Sequence, residues 1–508
     1  MPPTLARRYI YKLMANLVSV PVYLVMEALL PRALGPNMYG NYSFATNLFQ
    51  QLSGFLDMGT STCFYNALSR RQDEPSLFAF YLRIAALVAV AMAFCGLVCL
   101  LSPAGHIVMP DMPLWLAPLA ALWAFFTWFS RVLRSTNDAL GATIPGECWR
   151  AGIAIGSTLL LVCLYGFNLL NVHTLFLQQY ILLASTCIAC WFVTKRHWRE
   201  IGIHMHIRLG KTKRKQYGKE FFAYSHPLFM QGLLSFFMLT AERWLLQWFD
   251  GSAQQGFYAL SQKVSMACFL FVSAMTPLLM REFSMAWGRG DLAAMGSLLR
   301  RFAPGLYAIA TYFSCFTVAE GRALVEIFGG ADFVAATLPV QIMALYPLHQ
   351  AYGQMASSIF HASGKTHILR NMTACECIYG LIAAWVLIAP ANMMGFNLGA
   401  TGLAIKTVSI QFLTVNLYLW LACRFVPFSF WKNLLHQILC VVILIALAYA
   451  SRSISMECGM FSGLMRFIAS GFIYTCFVAS LFILAPDILG VSRNTINIFF
   501  QRLRGLFR

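Results

Sequence analysis

The sequence predicts an all-α polytopic membrane protein of about fourteen transmembrane helices, and three observations lead to that class. Hydrophobic residues make up 59% of the 508 residues and charged residues only 11%, whereas soluble chains carry about a quarter. The mean hydropathy is +0.66. A chain so poor in charge has too little polar surface to cover a globule in water, so lipid must be its solvent. The apolar residues also fall in successive runs of about twenty, the length of helix that spans a bilayer.

Taken in order, the apolar windows begin with 9–30, 41–66, 78–102, 113–133, 148–167 and 172–194. The first follows a basic start, as in a signal peptide. However, Met26-Glu27 followed by Pro31-Arg32 offers no small-residue cleavage site, so the run is expected to remain as the first helix. A basic stretch from Lys195 to Glu220, with KTKRK at its centre, is the largest soluble segment. Its Ile201, Ile203, Met205, Ile207 and Leu209 suggest a piece resting on the membrane surface, held by anionic lipid. The windows then resume at 223–248, 255–280, 302–320, 334–360, 367–389 and 398–422, and close with 433–451 and 464–486. The tail 493–508 interleaves Ile496, Phe499, Phe500, Leu503 and Phe507 with arginines, in the manner of the central basic stretch.

The basic residues set the orientation. Alternate gaps hold Arg7, Arg8 and Lys12, then Arg70 and Arg71, then Arg131, Arg134 and Arg150, then nine between Lys195 and Lys219. They continue with Arg281, Arg289, Arg300 and Arg301, with Lys365 and Arg370, with Arg424 and Lys432, and with Arg493, Arg502, Arg504 and Arg508. The opposite gaps hold little beyond Arg32, Arg322 and Arg452. Both termini are therefore expected in the cytoplasm. This placement also explains the net charge of +18 without nucleic acid as a partner.

The basic stretch divides the windows into two six-helix lobes and a tail: 1–220, 221–424, and 425–508 with the last two spans. A weak internal repeat supports the division. Glu27 precedes Gly40-Asn41-Tyr42 by thirteen residues, and Glu242 precedes Gly256-Phe257-Tyr258 by fourteen. Repeats that start on the same side are related by an axis along the membrane normal, the plan of a transporter with a cavity between its halves.

Catalytic chemistry finds no support. Gly210-Lys211-Thr212 and Gly364-Lys365-Thr366 lack the first glycine of a P-loop, with Met205 and Ile359 in its place. No large outer loop carries paired carboxylates for acid–base work. His204 and His206 lie on a basic loop, and the fifteen cysteines are scattered through apolar stretches. Cys187/Cys190 and Cys375/Cys377 fall inside predicted spans and read as small hydrophobes. No catalytic residue, metal site or cofactor is expected.

Charges inside spans are more informative, since each costs roughly 2.5–3.5 kcal/mol at a helix centre on insertion scales. Arg243, Lys263 and Lys406 lie on three helices, at similar depth by residue count. They suit a hydrated pocket for an anionic headgroup; the alternative is structural pairing with Glu242 and Glu27. Arg83 stands near an inner boundary, and Asp57 and Glu376 are the other intramembrane acids.

The order of several motifs resembles the polysaccharide-biosynthesis (Wzx-type O-antigen and lipid-linked oligosaccharide) flippases of the multidrug/oligosaccharidyl-lipid/polysaccharide exporter superfamily. The matching stretches are Arg32-Ala33-Leu34-Gly35-Pro36 through Tyr39-Gly40-Asn41-Tyr42, Phe55-Leu56-Asp57-Met58-Gly59, Ser225-His226-Pro227-Leu228, Glu242-Arg243, Gly256-Phe257-Tyr258 with Lys263, and Leu398-Gly399-Ala400-Thr401-Gly402-Leu403-Ala404. The resemblance implies alternating access and movement of a polyprenyl-diphosphate-linked oligosaccharide between leaflets. It implies a cationic cavity, here Arg243, Lys263 and Lys406, and ion coupling, for which Glu242, Asp57 and Glu27 are the candidates. Glu242 stands where the family often has Asp, which leaves its coupling role open. Implied partners are the lipid-linked substrate, membrane lipids, and a polysaccharide polymerase with other assembly proteins. An ion-coupled drug or cation exporter and a peptidoglycan-precursor flippase share the superfamily and remain alternatives.

Overall fold

The structure, a computed structural model, describes residues 5–200, 202, 210–273, 276–363, 365–457 and 463–490. Among these residues every regular element is helical. Among them ten helical stretches are long and apolar enough to cross a bilayer. The other four expected spans fall mostly within two long helices, α1 (Leu5–Asp57) and α8 (Lys211–Ser273), with 41–66 and 255–280 running past their ends. Backbone contacts divide the chain into two units, Met1–Gly256 and Phe257–Arg508.

In the first unit α1 is followed by α2 (Thr60–Arg70), α3 (Pro75–Leu101), the short α4 (Ala104–Val108), α5 (Leu116–Ala139), α6 (Thr143–Gly166) and α7 (Val172–Glu200). The second window, expected to run through 41–66, is interrupted: Met58 and Gly59 take positive φ, 45° and 75°, and the chain restarts as α2. Asp57 holds that restart. Its carboxylate accepts from the Ser61 amide at 3.0 Å, Ser61 Oγ at 2.6 Å and Thr60 Oγ1 at 3.1 Å. A run of aromatics forms the core, with Phe64 stacked on Tyr81 at 4.3 Å and Phe78 edge-on to Trp198 at 5.4 Å.

At one end of this unit the polar side chains interlock. Arg71 reaches Glu220 at 2.6 Å, Lys213 reaches Glu74 at 3.0 Å, Trp198 donates to the Gln72 carbonyl, and Gln72 donates to the Ala139 carbonyl. Burial pushes the Glu74 carboxyl up, but hydrogen bonds from Tyr217 and Lys213 and the charges of Lys213 and Arg71 outweigh it and hold it below the usual range.

The two long helices share one device. α1 breaks at Gly35 (φ 69°, ψ 170°) and α8 at Gly251 (φ 74°, ψ −171°), a backbone region open in practice only to glycine. Each break stands five residues before a second glycine, Gly40 or Gly256, and seven before Tyr42 or Tyr258. The two stretches therefore superimpose without a gap, and in that register Arg243 rather than Glu242 corresponds to Glu27. Gly40 and Gly256 meet backbone to backbone. A methyl on Gly40 would lie 1.8 Å from the Ser252 carbonyl oxygen, and one on Gly256 would lie 2.3 Å from that of Pro36. Pro36 and Ser252 are themselves equivalent positions, so the crossing is two-fold in its contacts, as in an isologous interface.

The second unit continues from α8 through α9 (Thr276–Gly288), α10 (Leu292–Ala319), α11 (Gly321–Phe328), α12 (Thr337–Met343), α13 (Tyr346–Ala362), α14 (Thr366–Ile388), α15 (Gly399–Ala422), α16 (Phe430–Glu457) and α17 (Gly463–Leu484). α10 starts ten residues before the expected window because the Asp291 carboxylate accepts from the Ala294 amide at 2.8 Å and caps it. Tyr312 stacks on Tyr474 at 5.0 Å between α10 and α17. Ile201, Ile203, Met205, Ile207 and Leu209, together with His204, His206 and the tail 493–508, lie outside the described residues.

Candidate functional site

Arg243 lies on α8, eight residues before the Gly251 break, and is 7% exposed. Its Nη1 donates to Gln255 Oε1 at 3.1 Å, and Gln255 Nε2 donates back to the Arg243 carbonyl. The guanidinium thus bridges both sides of the break. Beside it, Trp244 Nε1 donates to the Ile107 carbonyl at 2.8 Å, and Gln247 Nε2 donates to the Pro110 carbonyl at 3.1 Å and to Ser252 Oγ at 3.0 Å. Ser252 Oγ in turn donates to Asn41 Oδ1. At the turn itself burial pushes the Asp250 carboxyl up to about 6.

Lys263 and Lys406 belong to the second unit. Lys406, on α15, is 6% exposed, while Lys263, further along α8, is half-buried. Tyr258 and Thr407 hydrogen-bond through their hydroxyls at 3.2 Å. That bond ties together the two helices that carry the lysines, within two turns of each. Of the acids expected to couple ions, Glu27 is buried on α1, Glu242 is half-buried beside Arg243, and Asp57 makes the α2 contacts described above.

Each unit also contains a polar cavity. In the first, about 310 Å³ is enclosed by Gln50, Gln51, Ser53, Asp57 and Ser61 from α1 and α2 and by Trp128, Arg131 and Ser135 from α5. Trp128 is buried, and its indole N–H meets no partner among the described residues. In the second, about 380 Å³ is lined by Gln350, Gln354, Ser357, Ser358 and His361 of α13, facing Glu376 of α14 and Gln411, Thr414 and Tyr418 of α15. Reading the sequence for charges misses this stripe. Its signal is the helical spacing of its polar residues, which puts them on one face of an otherwise apolar helix. Among the described residues no group of three or more His, Cys, Asp or Glu is placed to hold a metal ion. Cys187 and Cys190 are buried thiols.

Two helical units, each with buried or half-buried intramembrane cations and a polar cavity, the first also with two glycine-broken long helices, define a polytopic membrane protein of the transporter-fold class. The chain belongs to the family described as polysaccharide biosynthesis protein, whose model matches residues 5–279. Among solved structures it is similar to the lipid II flippase MurJ in an inward closed conformation, at 12% identity and a TM-score of 0.64, over 93% of this chain and 99% of that one. It is similar also to an inward-facing multidrug resistance MATE family transporter of the MOP superfamily, at 13% identity and a TM-score of 0.56, over 81% and 94% of the two chains. A MOP superfamily transporter from Pyrococcus furiosus matches at 14% identity and a TM-score of 0.50, over 82% and 94%. These likenesses establish a shared fold. No curated protein matches the chain.

Proposed function

We propose that this protein is a flippase that moves a polyprenyl-diphosphate-linked oligosaccharide, such as an O-antigen unit, across the bacterial inner membrane, with both termini in the cytoplasm. The observation that carries the reading is the burial of Arg243 and Lys406 inside membrane-spanning helices of a polysaccharide biosynthesis family member, with the helix of Lys263 tied to that of Lys406 by the Tyr258–Thr407 bond. Flipping needs no covalent chemistry. Its barrier is the passage of sugars and a diphosphate through hydrocarbon, and a wet cavity with fixed positive charge lowers that barrier. Arginine offers a planar fork of donors and lysine a point charge, the two kinds of contact a diphosphate takes. The polar cavities of the two units offer amide and hydroxyl partners for sugar hydroxyls, while the lipid tail stays in the bilayer. Glu242, Glu27 and Asp57 are the proposed carriers of a coupling ion.

The lipid II flippase fold supports a peptidoglycan precursor as the alternative cargo, and the multidrug transporter fold supports a drug or cation. Deleting the gene discriminates them. The expected outcome is loss of surface polysaccharide, with lipid-linked repeat units accumulating in the inner leaflet and cell-wall synthesis intact. Normal surface glycan with lost drug resistance would overturn the proposal.

A further inference from the structure

An apolar groove runs along the second unit between α10 and α17, with a volume of about 510 Å³. Ile309 and Phe313 of α10 and Val478 and Phe482 of α17 form its walls, Gly305 leaves its floor open, and Arg301 is the one charged residue that lines it. Arg301 is exposed, whereas the neighbouring Arg300 donates to the Pro427 carbonyl. Arg301 is therefore the cation that faces the groove.

The dimensions name the occupant. Twelve residues separate Arg301 from Phe313, about 18 Å of helix rise, and one leaflet of hydrocarbon is about 15 Å deep. A phosphate on Arg301 thus stands at headgroup level while the far end of the groove reaches the bilayer midplane. A polyprenyl chain several times that length would leave most of itself outside. No carboxylate lines the groove, so its field favours a net negative headgroup over a zwitterion, whose ammonium would meet Arg301 and Arg300.

We propose that this groove binds an anionic glycerophospholipid, with its phosphate on Arg301 and an acyl chain between α10 and α17. None of the residues proposed for transport lines the groove, and the proposal stands whatever the cargo. The test is native mass spectrometry of the full chain in detergent, titrated with phosphatidylglycerol, phosphatidylcholine and diacylglycerol of matched acyl chains. The wild type should prefer phosphatidylglycerol over the other two by about five- to tenfold, the worth of one cation beside a net negative headgroup. Arg301→Ala should lose that preference. Gly305→Leu should weaken binding of all three lipids. A Cβ at Gly305 meets nothing within 4 Å, and leucine is the better helix former, so an unchanged melting temperature serves as the folding control. Equal phosphatidylglycerol binding by the wild type and Arg301→Ala, or by a folded Gly305→Leu, overturns the proposal. It also fails if polyprenyl monophosphate binds more tightly than phosphatidylglycerol and loses affinity with both substitutions, since the groove would then hold a polyprenyl tail.

Discussion

A guanidinium within a membrane-spanning helix is expensive, and Arg243 recovers part of that cost through Gln255 across the α8 break. Structural and binding roles thus meet in one side chain, and substitutions can separate them. Arg243→Ala and Lys263→Ala should each lower export about tenfold or more while the protein stays in the membrane, the scale of one lost charge-assisted contact. Arg243→Glu should be worse, and Arg243→Lys intermediate. Falling protein levels, restored when a partner acid is also removed, would assign the residue to structure instead. Asp250 allows a pH test. Burial raises its pKa from 3.8 to about 6 in the folded state, so its contribution to stability is full below pH 3.8 and is lost as the pH rises through 6. Asp250→Asn should therefore raise the detergent melting temperature at pH 7.5 and change it little at pH 4. The gain is about 1 kcal/mol or less once solvent screening of this half-exposed group is allowed for. A gain of equal size at both values would place the effect elsewhere. The burial of Arg243 and Lys406 was legible in the sequence because a full charge stands out in an apolar window. The α13 stripe was not, because uncharged Gln and Ser barely lower a window average.

Among elements, the glycine breaks in α1 and α8 decide where two spans begin and end. Gly35→Ala and Gly251→Ala should each cost about 1–3 kcal/mol, because the φ and ψ they hold exclude a Cβ. Gly40→Ala and Gly256→Ala should cost about as much by overpacking against backbone, which cannot move aside as a side chain can. Gly152→Ala on α6 meets nothing within 4 Å and is the control, neutral or stabilising by up to about 1 kcal/mol. Thermal melting of the purified variants checks all five, and equal melting of Gly40→Ala and Gly152→Ala would remove the close crossing. The existence of the spans was readable because bilayer thickness fixes their length. Their interruptions were not: nothing in the apolar content of 41–66 shows the stop at Met58-Gly59, which depends on backbone torsion and on Asp57 reaching Ser61. The repeat was visible through Gly40 and Gly256, but its register needed the breaks, and these move the counterpart of Glu27 from Glu242 to Arg243.

For the whole molecule, orientation has a structural side. In the first unit, Arg71 and Gln72 follow the second expected span, Ala139 ends the fourth, and Trp198, Lys213 and Glu220 flank the basic stretch after the sixth. They are tied by short contacts around the turn that carries Arg71 and Gln72: Arg71 to Glu220, Lys213 to Glu74, and Gln72 to both Trp198 and Ala139. Ile107, Pro110 and Ser252 come from the alternate gaps, and Asn41 and Gln247 from the span ends beside them; Trp244 bonds Ile107, while Gln247 and Ser252 link Pro110 to Asn41. Within the first unit these described connections fall into two sets, as alternate crossing requires, and the set rich in Lys and Arg is the one the charge rule assigns to the cytoplasm. Single cysteines placed at Lys211 or Lys215 in a cysteine-free background should react with a membrane-impermeant thiol reagent only after the cells are permeabilised. A cysteine at Asn392 should react in intact cells. Labelling of the Lys211 position from outside would invert the orientation. The side from which Arg243, Lys263 and Lys406 are proposed to receive their diphosphate would invert with it.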